Sequence, residues 1–417
     1  MLIGGLIAAG IMAIFSIAGA TAAEGPKCGL NNGKPATGEP ITLGAVVGKT
    51  GPADFSFSAR AADAYFKCVN ANGGINGRPI NYLIEDDGWN PEQAAQVATK
   101  LVKDEKVLAM IGNSSFVDCA ANEKLYETEN VMVIAGVGVP RDCFHSKNIA
   151  TTNAGPRLSN LGAAQYLATT FNLKNIVCVT LNIPGVGDFS CDGIVAWGTA
   201  HGVAVHKLLL DPASLDPTST LLQAMALKPD MIEISFPKEQ AVAMFNAAEQ
   251  QDLGSKVKWG GPTSIYNAEF PKAIGPYWDG KVYVQLELEP LDKKSPDVLN
   301  WHATLDKYGL PTDQRDTFSQ AGYLAARIIT ATLMKMDPKK ITRETVSTAI
   351  AGIKDFKSDV MCGPWYFGAS DEHNPNHRGS VAVVEKGGFV TKASCFENDD
   401  PDLANILKNE KTMHLAD

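Results

Sequence analysis

From Ile41 to Gly261, short apolar runs alternate with longer segments whose apolar residues recur at helical spacing, and this alternation restricts the fold more than any other feature. "ITLGAVVG" (Ile41–Gly48) reads as a strand. "ARAADAYFKCVNANGG" reads as a helix, with Ala62, Tyr65, Phe66 and Val69 on one face and Gly73-Gly74 as its stop. "PINYLIEDD" (Pro79–Asp87) is the next strand. "NPEQAAQVATKLVKDE" follows as a helix, with Asn90 as N-cap and Pro91 at the first position. "VLAMIG", "VMVIAGVG" (Val131–Gly138), "NIVCVTL" (Asn175–Leu181), "VAVHKLLL", "MIEISF" and "VKWGG" continue the strands, with helical segments between them. Strands that alternate with helices predict parallel sheets covered on both faces. Beyond this region, Thr317–Met336 and "ITRETVSTAIAGI" read as helices, and "GPWYFG", "GSVAVVEKGGFV" and "ASCF" as short strands.

"NAGPRLSN" (Asn153–Asn160) divides the alternating run in two. The fold class expected is α/β, with two Rossmann-like lobes. Open α/β sheets bind ligands beyond the carboxyl ends of their strands. Four loops stand there: Ser114-Ser115, Gly136–Val139, Gly185–Phe189 and Gly261–Tyr266. Their spread over both halves fits a cleft between lobes.

The first 23 residues, "MLIGGLIAAGIMAIFSIAGATAA", carry no charged side chain and end in small residues. They read as a signal peptide cleaved after Ala22 or Ala23, though the usual basic start is missing. The length also approaches a membrane span, so an uncleaved segment would be an anchor. The location expected is periplasmic or secreted, and membrane-anchored if cleavage fails. In an oxidising compartment the eight cysteines suggest disulfides. Eight allow 105 connectivities. Sequential pairing is the hypothesis taken here: Cys28–Cys68, Cys119–Cys143, Cys178–Cys191 and Cys362–Cys395. No close Cys pair opens a zinc site, so no metal is expected. A formal charge of −9 argues against a nucleic-acid partner.

Enzyme motifs are missing. No serine, Ser114 and Ser115 included, sits in a G-x-S-x-G elbow. The glycines of Gly136–Gly138 and Gly185–Ser190 fall short of the dinucleotide fingerprint, so no cofactor is expected. His373 and His377 flank Pro375 in "EHNPNHR", which reads as a solvated loop rather than a metal pair on a helix. No catalytic residue is assigned.

Several stretches resemble the leucine/isoleucine/valine-binding family, the type I periplasmic solute-binding proteins of ABC importers. They are Thr50-Gly51-Pro52 after the first strand, Asn70 to Gly77, Glu85-Asp86-Asp87, Pro91 to Ala94, "AAEQQDLGSKVKWGGPT" (Ala247–Thr263) and "FSQAGYLAARIITATL" (Phe318–Leu333). The likeness runs from about Ile41 to Phe396. It implies a three-segment hinge. Lobe one would be 41–153 plus 285–361 and lobe two 154–284 plus 362–398. The signal peptide (1–23), an extended lead-in (24–40) and a C-terminal tail (399–417) would lie outside them. It further implies a monomer that captures a small solute and delivers it to a membrane permease of an ABC importer. The alternative is an exported sensing domain or enzyme on the same fold.

By the same resemblance, Ser114, Ser115, Phe116 and Gly136–Val139, including Val137 and Gly138, would hold a ligand carboxylate through N–H groups and hydroxyls. Helix-start N–H groups favour anions. In lobe two the family often carries a tyrosine and a carboxylate, whereas this chain offers Phe189 and Thr263. A neutral Thr263 cannot neutralise a ligand ammonium, and burying that charge unpaired is costly. Asp188 or Asp118 would be the substitutes. A carboxylic acid without an amine, aromatic or branched, is therefore as consistent as an amino acid. Phe55, Phe116, Phe189, Phe236 and Tyr266 are the aromatic side chains offered as an apolar wall.

Overall fold

The computed structural model describes residue 1 and residues 25–415, so the expected signal peptide lies outside the described residues. The alternation folds into two seven-stranded sheets. The first comprises β1 (Ile41–Val47), β2 (Ile80–Asp86), β3 (Met110–Ile111), β4 (Ser114–Ser115), β5 (Val133–Ala135), β6 (Val137–Gly138) and β7 (Ile149–Thr151). Its order is β6-β4-β1-β3-β5-β7, with β2 also on β1, and its strand pairs are parallel. The second comprises β8 (Asn175–Leu181), β9 (Ala204–Leu210), β10 (Met231–Ser235), β11 (Lys258–Gly261), β12 (Val282–Leu286), β13 (Arg378–Glu385) and β14 (Gly388–Glu397). Its order is β14-β13-β12-β11-β10-β8-β9, and only the pairs β12–β13 and β13–β14 are antiparallel.

Packing shows where the chain changes lobes. Ala62, Tyr65, Phe66 and Val69 of the helix Phe57–Ala71 are all buried. They share a core with Trp301, Leu324 and Val346, from helices that follow β12 in sequence. The chain thus returns to the first sheet after β12 and leaves it again before β13. Gly322 makes this return possible, because a Cβ there would overlap the Ser58 backbone of the facing helix. The helix opening at Pro91 begins as its sequence dictates, with the Asn90 side chain accepting from Gln93 N–H at 2.8 Å.

The eight cysteines are joined in chain order as Cys28–Cys68, Cys119–Cys143, Cys178–Cys191 and Cys362–Cys395. The first fastens the lead-in to the helix Phe57–Ala71, and the last fastens the final crossing to β14. Residues after Phe396 do not trail away. Ala404–Met413 is a helix, and Leu403 and Ile406 are buried in the second lobe's core.

Two local expectations need correction. "EHNPNHR" is not a solvated loop, since His373 and His377 are both buried. His377 is held between Glu397 at 2.7 Å and Glu410 at 2.8 Å, and these partners push its pKa up to about 9 despite burial. "GPWYFG" forms no strand and makes only a bridge between Trp365 and Phe356. Among the described residues, no helix is long and apolar enough to cross a membrane.

Candidate functional site

The carboxyl ends of both sheets face a cavity between the lobes. Its lobe-one wall is apolar. Phe55, from the loop after β1, meets Phe116 edge to face at 4.8 Å between centroids and Phe318 at 5.3 Å. Phe318 lies at the start of the helix Thr317–Met334. Val137 and Val139 complete the wall. Trp89 stands behind it, stacked on Phe116 at 3.9 Å, with its indole N–H donating to the Ala53 carbonyl at 3.1 Å. Gly48 and Gly51 make room for this indole, since a Cβ at either would lie 2.9 or 3.0 Å from it. Val186 of lobe two packs into the same cluster, so the apolar contact crosses the cleft.

The lobe-two wall is mixed, with Leu181, Ile183, Val186 and Phe236 beside polar side chains. It presents Ser159, Thr180, Ser190, Ser235, Thr263 and Ser264, with Glu287 just past the end of β12. Several hydroxyls serve the protein itself. Ser190 donates to the Val186 carbonyl at 2.7 Å, Ser264 donates to the Phe236 carbonyl at 2.8 Å, and Ser159 accepts from Thr263 N–H at 2.7 Å. The Thr263 hydroxyl and Glu287 Oε2 are buried without a partner. Burial pushes the Glu287 carboxyl up to about 8, against the pull of the Ser159 hydroxyl, the N–H groups of Ala154 and Gly155, and the Asn153 side chain. Among the described residues, no lysine, arginine, histidine or aspartate lines the cavity.

Of the residues expected from sequence, Phe55, Phe116, Val137, Gly138, Val139, Phe236 and Thr263 line the cavity. Ser114, Ser115, Gly136, Asp188, Phe189 and Tyr266 do not, and each has a physical reason. The Ser115 hydroxyl accepts from the N–H groups of Val117 (3.0 Å) and Asp118 (2.9 Å) and donates to Asp87. It thus takes the Val117 and Asp118 N–H groups at the start of the helix Asp118–Thr128. Ser114 is fully buried within β4. Gly136 is pressed against Ser58 and Gly322. Asp188 pairs with Lys207 at 2.5 Å on the surface. Phe189 packs on Phe144 at 5.8 Å, and Tyr266 on Phe389 at 4.7 Å. Asp118 is buried against Asn113, Asn122 and Tyr126, remote from a substitute's role.

The lobe-one backbone is also committed. Gly136 and Val137 N–H both donate to the Asn113 carbonyl at 3.0 Å. Gly138 donates to Asn153 Oδ1 at 2.8 Å and accepts from Asn153 Nδ2 at 3.1 Å. The anion clamp expected in lobe one is therefore not assembled from these groups.

Sequence reasoning missed Glu287 and Phe318. The rule that ligands sit past the carboxyl ends of strands reaches Glu287 once "KVYVQLELEP" is read as a strand. Phe318 carried no signal beyond opening a long helix. One cluster of metal-binding residue types occurs among the described residues, Glu289 with Cys362 and Cys395, but both sulfurs are tied up in a disulfide.

Residues 40–388 match the model of a family described as periplasmic binding protein. An "amino acid binding protein" of Pseudomonas aeruginosa is 33% identical over 95 residues, which is 21% of this chain and 25% of that protein. The chain thus matches about a quarter of that curated relative's length. Two solved structures share the fold. A leucine-binding protein from Thermotoga maritima has a TM-score of 0.68 at 17% identity, covering 87% of this chain and 99% of that one. A solute-binding protein of an ABC transporter from R. palustris, in complex with 4-hydroxybenzoate, has a TM-score of 0.73 at 19% identity, covering 88% and 100%.

Proposed function

Because the chain belongs to the periplasmic binding protein family, we propose that it captures one small organic solute with an aromatic or branched apolar body in the interlobe cavity and delivers it, as a monomer, to the permease of an ABC importer. Solute binding outside the cytoplasm is what the family does; the kind of solute and the hand-over to a permease are the proposal. One observation carries it: a cavity whose lobe-one wall is Phe55, Phe116 and Phe318, with Val186 reaching across from lobe two. A concave, mostly apolar site between two lobes suits a small molecule. Burying an aromatic or branched side group there contributes roughly 1.5–3 kcal/mol, and edge-on ring contacts add about 0.5–1.5 kcal/mol. The R. palustris protein's 4-hydroxybenzoate has a body of this kind.

Closure follows from the same contacts. The solute adds apolar surface that both walls cover together, so binding favours the closed pair of lobes over the open one. The test is a thermal-shift screen with branched-chain amino acids, aromatic acids, aromatic and branched amines, short amides and dicarboxylates. A bound solute raises the melting temperature by mass action. A compaction seen by X-ray scattering with the same solute supports closure. If no member of the panel raises the melting temperature, or if a solute is converted to product, the reading fails.

A further inference from the structure

Glu287 is 1% exposed, lines the cavity, and its Oε2 has no hydrogen-bond partner. A buried polar atom without a partner costs free energy, so a ligand that supplies a donor there gains that cost back. The lining holds no cation among the described residues. The N–H groups of Gly136, Val137, Gly138, Val117 and Asp118 are already spent within the protein.

We propose that Glu287 is the specificity-determining residue of the cleft, and that the solute is an organic amine: an ammonium head on an aromatic or branched apolar body, with no carboxylate. This rests on the reading of the cleft as a solute site. The ammonium donates to Glu287 Oε2 and to the unpartnered Thr263 hydroxyl oxygen, while the body lies on Phe55, Phe116 and Phe318. A matching carboxylic acid or amino acid would bury its carboxylate beside Glu287 with no cation in the described lining to balance it.

The charged groups on neighbouring elements are engaged elsewhere. Arg157 pairs with Asp400 at 2.5 Å, Glu289 with Lys293 at 2.9 Å, and His377 with Glu397 and Glu410. Glu233 is buried within β10. None of these pairs involves Glu287, whose Oε2 is left for the ligand. The Glu287 proton is held up to about pH 8 in the free protein. Capture of an ammonium expels that proton, so affinity rises with pH up to about 8 and levels off above it. An acid ligand needs the carboxyl to keep its proton, so its affinity would hold up to about pH 8 and fall above it.

Isothermal titration calorimetry of the purified protein tests this with 2-phenylethylamine and isoamylamine, against 3-phenylpropionate, 4-methylpentanoate, L-phenylalanine and L-leucine. We expect at least one amine to bind 30-fold or more tighter than its acid and amino-acid counterparts. Its affinity should rise about fiftyfold from pH 6 to pH 8, the ratio of ionised carboxyl expected for a group titrating near 8. Buffer-dependent enthalpies should report one proton released. Glu287→Gln should weaken the amine about 100-fold and flatten the pH profile. The wild-type profile is decisive even if that variant does not fold. Tighter binding of an acid or amino acid overturns the amine assignment and leaves solute capture standing. So does an affinity that falls with rising pH, an unchanged Glu287→Gln variant, or two amines that do not bind. Failure of the whole solute panel is instead the failure of the underlying reading.

Discussion

The two walls of the cleft solve recognition in different currencies. Lobe one presents rings and branched side chains, and its polar backbone groups are turned inward to Asn113, Asn153 and Ser115. Lobe two brings Leu181, Ile183 and Phe236 too, and adds hydroxyls and one carboxyl at the carboxyl ends of β8, β10, β11 and β12. Apolar contact is non-directional and tolerates many shapes, whereas an unpartnered carboxyl discriminates sharply between a donor and an acceptor. On the reading proposed above, the solute's body rests mainly on lobe one and its head group is chosen by lobe two. The interlobe contact of Val186 joins the two tasks, because neither wall encloses the solute alone.

The strongest way to break this comparison is to remove the buttress of the apolar wall. Trp89→Ala deletes the ring stacked on Phe116 and the bond to Ala53, and leaves the space that Gly48 and Gly51 keep open. For a partly buried tryptophan the expected loss is about 2–4 kcal/mol of stability, read by urea unfolding. Solute affinity should fall with it, because Phe55 and Phe116 lose the surface that holds their rings. A variant as stable as the parent would mean that the wall is not held by this stack.

Next in size is the contact between the walls. Val186→Asp places a charge against Phe55 and Phe116 when the lobes are closed, but exposes it to water when they are open. Solute affinity should drop about 100-fold, equivalent to ~2.7 kcal/mol. X-ray scattering should show an expanded particle even with solute present, while the unfolding transition stays near that of the parent. Retained affinity would show that closure does not run through Val186.

How legible these walls were in the sequence differs between them. Phe55, Phe116, Val137 and Val139 were reached because strand ends and aromatic residues are local signals. Phe189 and Tyr266 carried the same signals and face protein instead, because orientation is decided by partners distant in sequence, Phe144 and Phe389. The alternating pattern that predicts parallel sheets is likewise local; it reached most strands but not β7 or β12, and the second sheet ends in antiparallel pairs. The state of a backbone N–H is not local. Whether Gly138 can hold an anion depends on Asn153, a residue on the far side of β7, and no spacing rule reveals that bond. The same holds for "EHNPNHR", which composition makes a surface loop and which Glu397 and Glu410 draw inside.

Ser115 sharpens the comparison at smaller scale. As part of a ligand clamp, its loss would weaken binding; as the residue closing the start of the helix Asp118–Thr128, its loss weakens the fold. Ser115→Ala should cost about 1–2 kcal/mol in thermal or urea unfolding, the usual range for a helix-capping hydroxyl. Affinity for a solute that stabilises the parent should stay within about twofold. A tenfold loss of affinity without loss of stability would return this serine to the ligand and make lobe one polar after all.

The smallest effect falls on Thr263. Its hydroxyl is buried in the cavity wall without a partner, while its backbone N–H is fixed by Ser159. Thr263→Val keeps the shape and the backbone bond and removes only the oxygen. In the empty protein this should be neutral or stabilise by up to about 1 kcal/mol, because a buried hydroxyl without a partner costs free energy that a methyl does not. With solute bound, the sign should reverse. Losing one acceptor for the solute's head group should weaken binding about three- to tenfold, the range of a single neutral hydrogen bond. The two measurements together separate a hydroxyl that waits for a ligand from one that merely packs. Stability gained and affinity lost in the same variant would place the polar half of recognition in lobe two. Affinity unchanged would leave Glu287 to choose the head group alone.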